Sequence, residues 1–148
     1  RTTANTGLAF TPEAKLWAMQ ETSVPFRFVI GDCGCPRSVG CDTHGGTLDE
    51  PMSAHPKFDR RTGEMFFHGT TKPAPGRFYV GRAVGERVTD RVELPVEPGF
   101  HHDFVVTENY VVVVDGSLSW DLASFVLGGA LWKFGPKRRL RFGVWPRS

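Results

Sequence analysis

Short runs rich in β-branched and aromatic residues recur along the chain, and most are bounded by Gly, Pro, Asp or Asn. This pattern is typical of short antiparallel strands. The runs that predict strands cover residues 15–20, 26–30, 64–67, 77–84, 87–94, 103–107 and 110–114. Segment 111–114 is apolar on both faces, which predicts an inner strand covered on both sides.

Two segments have a pattern that a helix could adopt. The better one covers residues 118–131, although Gly128 and Gly129 weaken its end. Residues 11–17 are shorter and open on a Thr-Pro-Glu sequence that is typical of a helix start. Helices and strands do not alternate, so the pattern disfavours a doubly wound α/β sheet and favours an all-β sandwich, barrel or propeller. The polar, turn-forming stretch 31–46 predicts a loop.

The composition fits one soluble globular domain. The chain has 148 residues, of which 17 are Gly and 11 are Pro, as expected for many short strands joined by turns. No linker or low-complexity segment divides it, so we expect a single unit without an internal boundary. The net charge is only +2, which gives no strong electrostatic case for nucleic acid. No apolar run approaches the length of a membrane span.

Basic residues concentrate near the end of the sequence, where no acidic residue follows Asp121. They form either a solvated surface strip or a contact with an anionic membrane surface or nucleic acid. These residues are Lys133, Lys137, Arg138, Arg139, Arg141 and Arg147.

The cysteines are few and odd in number. Cys33, Cys35 and Cys41 cannot all pair within one chain, which favours a reducing compartment. Together with His44 they form a candidate zinc site, although the spacing lacks the paired spacers of most structural zinc sites. The sequence begins at Arg1 without an apolar signal-peptide core, so we expect that upstream residues were removed or that the chain is a piece of a longer product.

Five histidines are candidate metal ligands. His55 precedes a proline that favours extended backbone, and the small Ala54 leaves room for a close neighbour. His101 and His102 open a predicted strand, where successive side chains point to opposite faces, so only one of them can face a shared centre. A hydrogen-bonded structural role is expected for His68. The sequence contains no nucleophile elbow, phosphate-binding loop or obvious carboxylate pair for other chemistries.

Two segments resemble the metal-histidine motifs of the carotenoid cleavage oxygenases. Residues 52–59 (MSAHPKFD) followed by 62–66 (TGEMF) resemble the first motif, and residues 102–110 (HDFVVTENY) resemble the second. The resemblance spans nearly the whole chain, because the segments that flank the two motifs also match the family in the same order. The flanking segments are residues 4–6, 16–21, 45–48 and 141–147.

The resemblance implies a partial seven-bladed β-propeller of about three blades, with a little helix from the cap, over residues 1–148. In this family four histidines from separate blades hold a non-haem Fe2+, and O2 is used to split a double bond of a carotenoid or apocarotenoid into two carbonyl products. His55 and His102 match the first two ligands. Glu21 matches a carboxylate that hydrogen-bonds a ligand histidine, expected to be His102. His101, beside the second motif, is left out.

The resemblance also leaves alternatives open. The third and fourth histidines of the family lie downstream of this chain, which implies a fragment that lacks the C-terminal part and is inactive alone. A non-catalytic propeller fragment that acts as a binding module, or the small zinc-binding β domain, are the other hypotheses. Segment 31–42 does not match the family closely and is interpreted as a divergent loop or insertion. Segment 118–131 lies where the family places cap elements, whose apolar side chains could touch a membrane. The compartment, plastid or cytoplasm, stays open.

Overall fold

A computed structural model of the chain describes residues 4–72, 76–97, 99–136 and 139–147. The described part is almost entirely β, as predicted, with one short helix. The elements are β1 (Gly7–Phe10), β2 (Leu16–Met19), β3 (Phe26–Ile30), β4 (Pro36–Cys41), β5 (Lys57–Asp59), β6 (Glu64–Thr70), β7 (Phe78–Val84), β8 (Arg87–Glu93), β9 (Phe104–Val106), β10 (Tyr110–Asp115), β11 (Leu118–Trp120), α1 (Leu122–Val126), β12 (Trp132–Phe134) and β13 (Arg141–Pro146).

The strands form four antiparallel sheets. Two are four-stranded, in the orders β1-β2-β3-β4 and β5-β6-β7-β8; one is three-stranded, in the order β13-β10-β9; and β11 pairs with β12. Most neighbours in a sheet are also neighbours in sequence, as short connections favour. The exception is β13, which returns to pair with β10 from Tyr110↔Pro146 to Asp115↔Arg141. The last segment of the chain that resembles the oxygenases is therefore an edge strand.

The β5–β8 sheet lies between two hydrophobic clusters. Strand β6 shows why: its side chains alternate, with Met65 and Phe67 in one cluster and Phe66 in the other. The first cluster contains Trp17, Met19, Leu48, Met52, Ala54, Met65, Phe67, Tyr79 and Ala83. The second contains Phe66, Phe78, Val80, Phe104, Val111 and Val113. Packing therefore joins this sheet to the β1–β4 sheet on one face and to the β13-β10-β9 sheet on the other.

A partly buried arginine also links the sheets. The Arg147 guanidinium lies 2.6 Å from a carboxylate oxygen of Asp59 and 2.6 Å from one of Glu64. It also stands over the ring of Phe66, 4.6 Å from its centroid. These contacts fasten the chain after β13 to the β5–β6 hairpin.

The predicted strands lie within a few residues of the observed ones, but the helix over 118–131 is wrong for most of its length. Only α1 is helical; β11 precedes it and β12 follows. The Asp121 carboxylate caps the helix by accepting a hydrogen bond from the Ser124 backbone N–H at 2.9 Å. Gly128, with φ +82°, ends it. No residue of the helix is buried, so packing does not extend it.

Three other predictions need correction. Residues 11–17 are not helical; they form a turn, in which the Thr11 N–H bonds the Lys15 carbonyl at 2.9 Å, and then β2. The predicted loop 31–46 contains β4, which pairs with β3. Strand β10 is covered on one face only: Val111 and Val113 are buried, whereas Val114 is 37% exposed.

In the described part of the chain, no helix is long and apolar enough to cross a membrane. Lys137 and Arg138, from the middle of the basic segment, lie outside the described residues.

Candidate metal centre

Three side chains that lie next to strands of three different sheets meet at one point. Glu21 follows β2, His55 precedes β5 and His102 precedes β9. Their ligand atoms all lie within 4.8 Å of one another. Within the described ranges this is the one group of three or more His, Cys, Asp or Glu residues that is gathered so closely. The three positions named by the family resemblance are thus brought together, although 34 residues separate Glu21 from His55 in sequence and 47 separate His55 from His102.

The two imidazoles face each other through their Nε2 atoms. His55 Nε2 lies 3.1 Å from His102 Nε2, and the ring planes are inclined by 73°. Two nitrogens that each bind one ion at about 2.1 Å, at an angle near 90°, are about 3.0 Å apart. The same separation allows a hydrogen bond between the rings when one of them donates. The separation is therefore compatible with two adjacent ligands of one metal ion and also with a hydrogen bond between the two imidazoles.

Glu21 faces the Nδ1 side of His102. Its Oε1 lies 2.8 Å from His102 Nδ1, and its Oε2 accepts a hydrogen bond from Thr6 Oγ1 at 3.4 Å. A carboxylate that accepts a hydrogen bond from Nδ1 keeps the ring proton on that atom and leaves the Nε2 lone pair free for a metal. The position of Glu21 thus suits a partner of the histidine rather than a direct ligand.

Close packing positions the backbone of His55. An added Cβ on Gly7 would lie only 2.4 Å from the carbonyl oxygen of Ala54, so β1 passes directly against the residue before His55. The expectation that Ala54 admits a close neighbour is confirmed. A larger residue at Gly7 would displace this segment, which makes the glycine part of the support of the site.

The segment that leads to His55 is also tied to the central sheet. The Ser53 N–H bonds the His68 carbonyl at 2.6 Å, and Tyr79 Oη donates to the Pro51 carbonyl at 2.5 Å. Both Ser53 and Tyr79 are buried. These bonds hold an irregular segment against β6 and β7, so His55 is presented from a rigid support.

The neighbours of His102 turn away from the centre. The two ring nitrogens of His101 each lie 3.1 Å from a backbone carbonyl oxygen, those of Glu97 and Val114. Asp103 pairs with Lys57 at 2.7 Å. Burial alone would raise the pKa of Asp103, but Lys57 and the Phe104 backbone N–H together outweigh it and hold that pKa below its usual range. The alternation of side chains along extended backbone thus leaves only His102 facing the centre.

His68 lies behind the site and stays neutral. Its ring stacks on Phe78 and meets Phe104 edge-on, with centroids 5.3 and 5.2 Å away, and its Nε2 is buried without a hydrogen-bond partner among the described residues. Burial lowers the pKa of His68 to about 3. It is a buried histidine packed among aromatic rings, and the hydrogen bond expected from the sequence is not formed at Nε2.

The four candidate zinc ligands do not form a centre. His44 is buried, with a ring centroid 5.1 Å from that of Trp17, and burial lowers its pKa. Cys33, Cys35 and Cys41 are all exposed. The close groups found within the described ranges do not include these residues. The geometry thus gives no support to a zinc site built from them.

A cavity of about 500 Å³ adjoins Glu21, His68 and His101, whereas His55 and His102 are not among its lining residues. Phe100 stacks on His102 with ring centroids 5.4 Å apart, Trp132 meets Phe100 at 5.0 Å, and Trp120 meets Trp132 at 4.0 Å. The aromatic wall thus runs outward from the histidine. Lining residues include Gln20, Glu21, His68, Phe100, Trp120 and Trp132.

A comparison with known protein families matches residues 1–148 to the retinal pigment epithelial membrane protein family, RPE65. This chain belongs to the RPE65/carotenoid cleavage oxygenase family.

Curated relatives of this chain include plant enzymes. It is 31% identical over 144 residues to the chloroplastic 9-cis-epoxycarotenoid dioxygenase NCED6 of Arabidopsis thaliana, covering 95% of this chain and 25% of that protein. It is 32% identical over 147 residues to the carotenoid 9,10(9',10')-cleavage dioxygenase 1 of the same plant, covering 98% and 27%. This chain thus spans about a quarter of the length of these relatives.

Solved structures of carotenoid oxygenases share its fold. The lignostilbene dioxygenase of Pseudomonas brassicacearum superposes with a TM-score of 0.81 at 26% identity, covering 99% of this chain and 31% of that one. A variant of the Synechocystis apocarotenoid oxygenase superposes with a TM-score of 0.75 at 20% identity, covering 99% and 33%. The second likeness shows the fold alone.

The aromatic wall was missed by the sequence reasoning. One signal was available: Phe100 stands two positions before His102, and side chains two apart on extended backbone share a side. Trp120 and Trp132 gave no such signal, because Trp120 lies within the segment 118–131 that was predicted as a helix and Trp132 directly follows it. Their contact depends on the pairing of β11 with β12.

Proposed function

We propose that this chain is part of a non-haem Fe2+ dioxygenase that uses O2 to cleave a carbon–carbon double bond of a carotenoid or apocarotenoid. The observation that carries the proposal is the 3.1 Å separation of His55 Nε2 and His102 Nε2, with Glu21 behind His102. The names of the curated relatives, which are carotenoid cleavage dioxygenases, support the substrate class.

The donor set suits ferrous iron. Imidazole nitrogens bind iron readily, and a carboxylate behind one of them raises its basicity. His55 and His102 would hold the ion through Nε2, while Glu21 would keep the proton on His102 Nδ1. Bound Fe2+ with open coordination positions supplies the site where O2 is activated. Two imidazoles are too few for such a centre, so we expect the remaining ligands from other parts of the full-length protein and an inactive chain in isolation.

The cavity suits a conjugated apolar substrate. Phe100, Trp120 and Trp132 provide flat apolar faces on which a polyene can stack, and such a wall excludes water from the reacting bond. Phe100 lies directly against His102, which places one end of the wall at the metal centre. The chain's own residues thus bind and orient the substrate beside the ligands.

A second groove of about 1040 Å³ fits this substrate less well. Its lining includes Lys57, Asp59, Arg61, Asp103 and Glu108. So many charged side chains disfavour a polyene. We therefore assign the substrate to the aromatic cavity, although it is the smaller of the two.

For the architecture, we infer a partial seven-bladed propeller of about three blades. The three larger sheets follow one another in sequence, and the central one packs on both neighbours. Because β6 and β7 contribute to both clusters, no boundary divides residues 1–148, and we interpret them as a fragment of one propeller domain.

The function is tested by product analysis with the full-length protein. The protein is loaded with ferrous iron and incubated in isotopically labelled oxygen with a carotenoid and, separately, an apocarotenoid. We expect two carbonyl products that carry the label, and none from protein loaded with zinc. Unlabelled products, or equal turnover with zinc, would refute the assignment.

We also propose that α1 and the residue after it contact a membrane surface, where apolar substrates reside. No residue of α1 is buried, and Val126 and Leu127 are 82% and 87% exposed. Lys133 is exposed on β12, close to the helix in sequence, and would favour anionic lipid. Some relatives are chloroplastic, which makes a plastid membrane our first candidate.

Replacing both Val126 and Leu127 with aspartate should lower co-sedimentation of the full-length protein with anionic phospholipid vesicles several-fold, because it places charge where apolar contact is needed. The matched control is Val39→Asp on β4, an apolar residue that is 54% exposed elsewhere on the surface. Equal binding by the double variant and the control would show that the membrane contact lies elsewhere.

A further inference from the structure

The tip of the β3–β4 hairpin is a tight turn with a cysteine on each side of a glycine. The Gly31 N–H donates to the Cys35 carbonyl at 2.9 Å, and the Gly34 N–H donates to the Gly31 carbonyl at 2.8 Å. Gly34 has a φ of +75°, a conformation that side chains disfavour. Two hydrogen bonds and a left-handed glycine thus hold Cys33 and Cys35 close together at an exposed loop end.

The two cysteines lie on either side of Gly34 and are not equivalent. Both are exposed, and Cys35 Sγ lies 3.8 Å from the Cys33 carbonyl oxygen. A hydrogen bond between the thiols lowers the pKa of Cys33 and raises the pKa of Cys35. Since the thiolate is the nucleophile, Cys33 is suited to attack and Cys35 to follow.

Distance selects this pair among the three cysteines. A disulfide needs Cα atoms about 4.4–6.8 Å apart, and residues two apart in a tight turn meet that condition. Cys41 lies opposite Phe26, at the far end of β4 from the turn. A strand of this length spans roughly 20 Å, which puts Cys41 out of reach. The odd cysteine count therefore resolves into one pair and one single thiol.

We propose that Cys33 and Cys35 form a reversible dithiol–disulfide site whose oxidant is a small-molecule disulfide of the glutathione type. The Cys33 thiolate attacks one sulfur of that disulfide, forms a mixed disulfide and releases the first small thiolate. Cys35 then loses its proton to water and attacks the Cys33 sulfur, which releases the second small thiolate. Two protein thiols are oxidised and one disulfide is reduced to two thiols. The site stands apart from the metal centre, so it does not depend on the proposed oxygenase function.

The lability of such a bond follows from its position. A disulfide across one intervening residue closes a small ring, and strained or exposed disulfides are the easily reduced ones. Reduction by excess small thiol returns both cysteines to the starting state. The hairpin is held by the β3–β4 pairing in either state, because the turn cysteines contribute no side chain to a hydrophobic cluster.

The test uses peptide mapping of the full-length protein after exposure to glutathione disulfide. Trypsin cuts after Arg27 and Arg37, so residues 28–37 leave as one peptide with both turn cysteines, and Cys41 falls in residues 38–57. We expect peptide 28–37 to lose the mass of two hydrogens and to resist alkylation. Excess reductant should reverse both changes.

Two variants sharpen the result. Cys35→Ser should stop at a persistent glutathione adduct on Cys33, because no second thiol can displace it. Cys41→Ser should form the turn disulfide as the parent does. A persistent adduct in the parent, a disulfide that joins peptides 28–37 and 38–57, or free alkylation of both turn cysteines would each overturn the proposal.

Discussion

Replacing His55 or His102 with alanine is expected to reduce carotenoid cleavage by the full-length protein to the level of the metal-free protein. Each change removes one of the two Nε2 atoms that lie 3.1 Å apart. The imidazole that remains cannot hold the iron in place of both. Product formation and bound iron should fall together, because the reaction needs the metal. Both are measured on the same preparation, by product chromatography and metal analysis.

The matched control for this prediction is His44→Asn. His44 is buried beside Trp17, away from the centre, and has a φ of +49°, which asparagine tolerates better than most residues. The control should keep iron and turnover even if it melts at a lower temperature. Full turnover with bound iron in both the His55 and His102 variants would remove these residues from the metal site.

Replacing Glu21 with glutamine should weaken iron binding about 10–100-fold, the usual cost of losing a partner of a ligand histidine. Glutamine keeps the side-chain length but not the charge that faces His102 Nδ1 at 2.8 Å. His102 then becomes less basic and less firmly oriented. Affinity is measured by competition with a chelator, and turnover is measured at saturating iron.

The control for Glu21 is Glu13→Gln, which removes the same charge at an exposed position. It should bind iron as the parent does. If Glu21→Gln binds iron with the affinity of the control, the contact between Glu21 and His102 is structural and the proposed role fails. The conservative variant Glu21→Asp should recover part of the affinity, since it restores the carboxylate at a shorter reach.

The strands that the sequence predicted well are those with an alternating or apolar pattern. Segment 26–30 coincides with β3, and 77–84 differs from β7 by one residue. Strand β4 was missed because its residues are polar, contain proline and glycine, and are exposed at a sheet edge. Backbone pairing with β3 stabilises this strand in place of buried side chains, so the hydrophobic pattern of the sequence does not reveal the strand.

The helix over residues 118–131 failed for the opposite reason. The segment is apolar and was predicted as a helix, yet most of its side chains stay exposed, so no buried face stabilises a long helix there. A cap at Asp121 and a left-handed Gly128 limit the helix to five residues. The apolar side chains of this segment lie at the surface rather than in the core, and we interpret them as the membrane contact.

The residues of the candidate site were predictable from the sequence, but the contacts between their side chains were not. Two motifs and their order named His55, His102 and Glu21, whereas the contact of their side chains depends on three sheets packing together. The alternation of a strand predicted that only one of His101 and His102 can face the centre, and the family resemblance indicated His102. The aromatic wall depends on the pairing of β11 with β12, which no local sequence pattern predicted.

The most direct test is anomalous diffraction at the iron edge from crystals of the iron-loaded full-length protein. We predict one strong peak about 2.0–2.2 Å from both His55 Nε2 and His102 Nε2, with Glu21 still at Nδ1 of His102. A peak elsewhere, with the two imidazoles bonded only to each other, would contradict the assignment of this cluster as the metal centre.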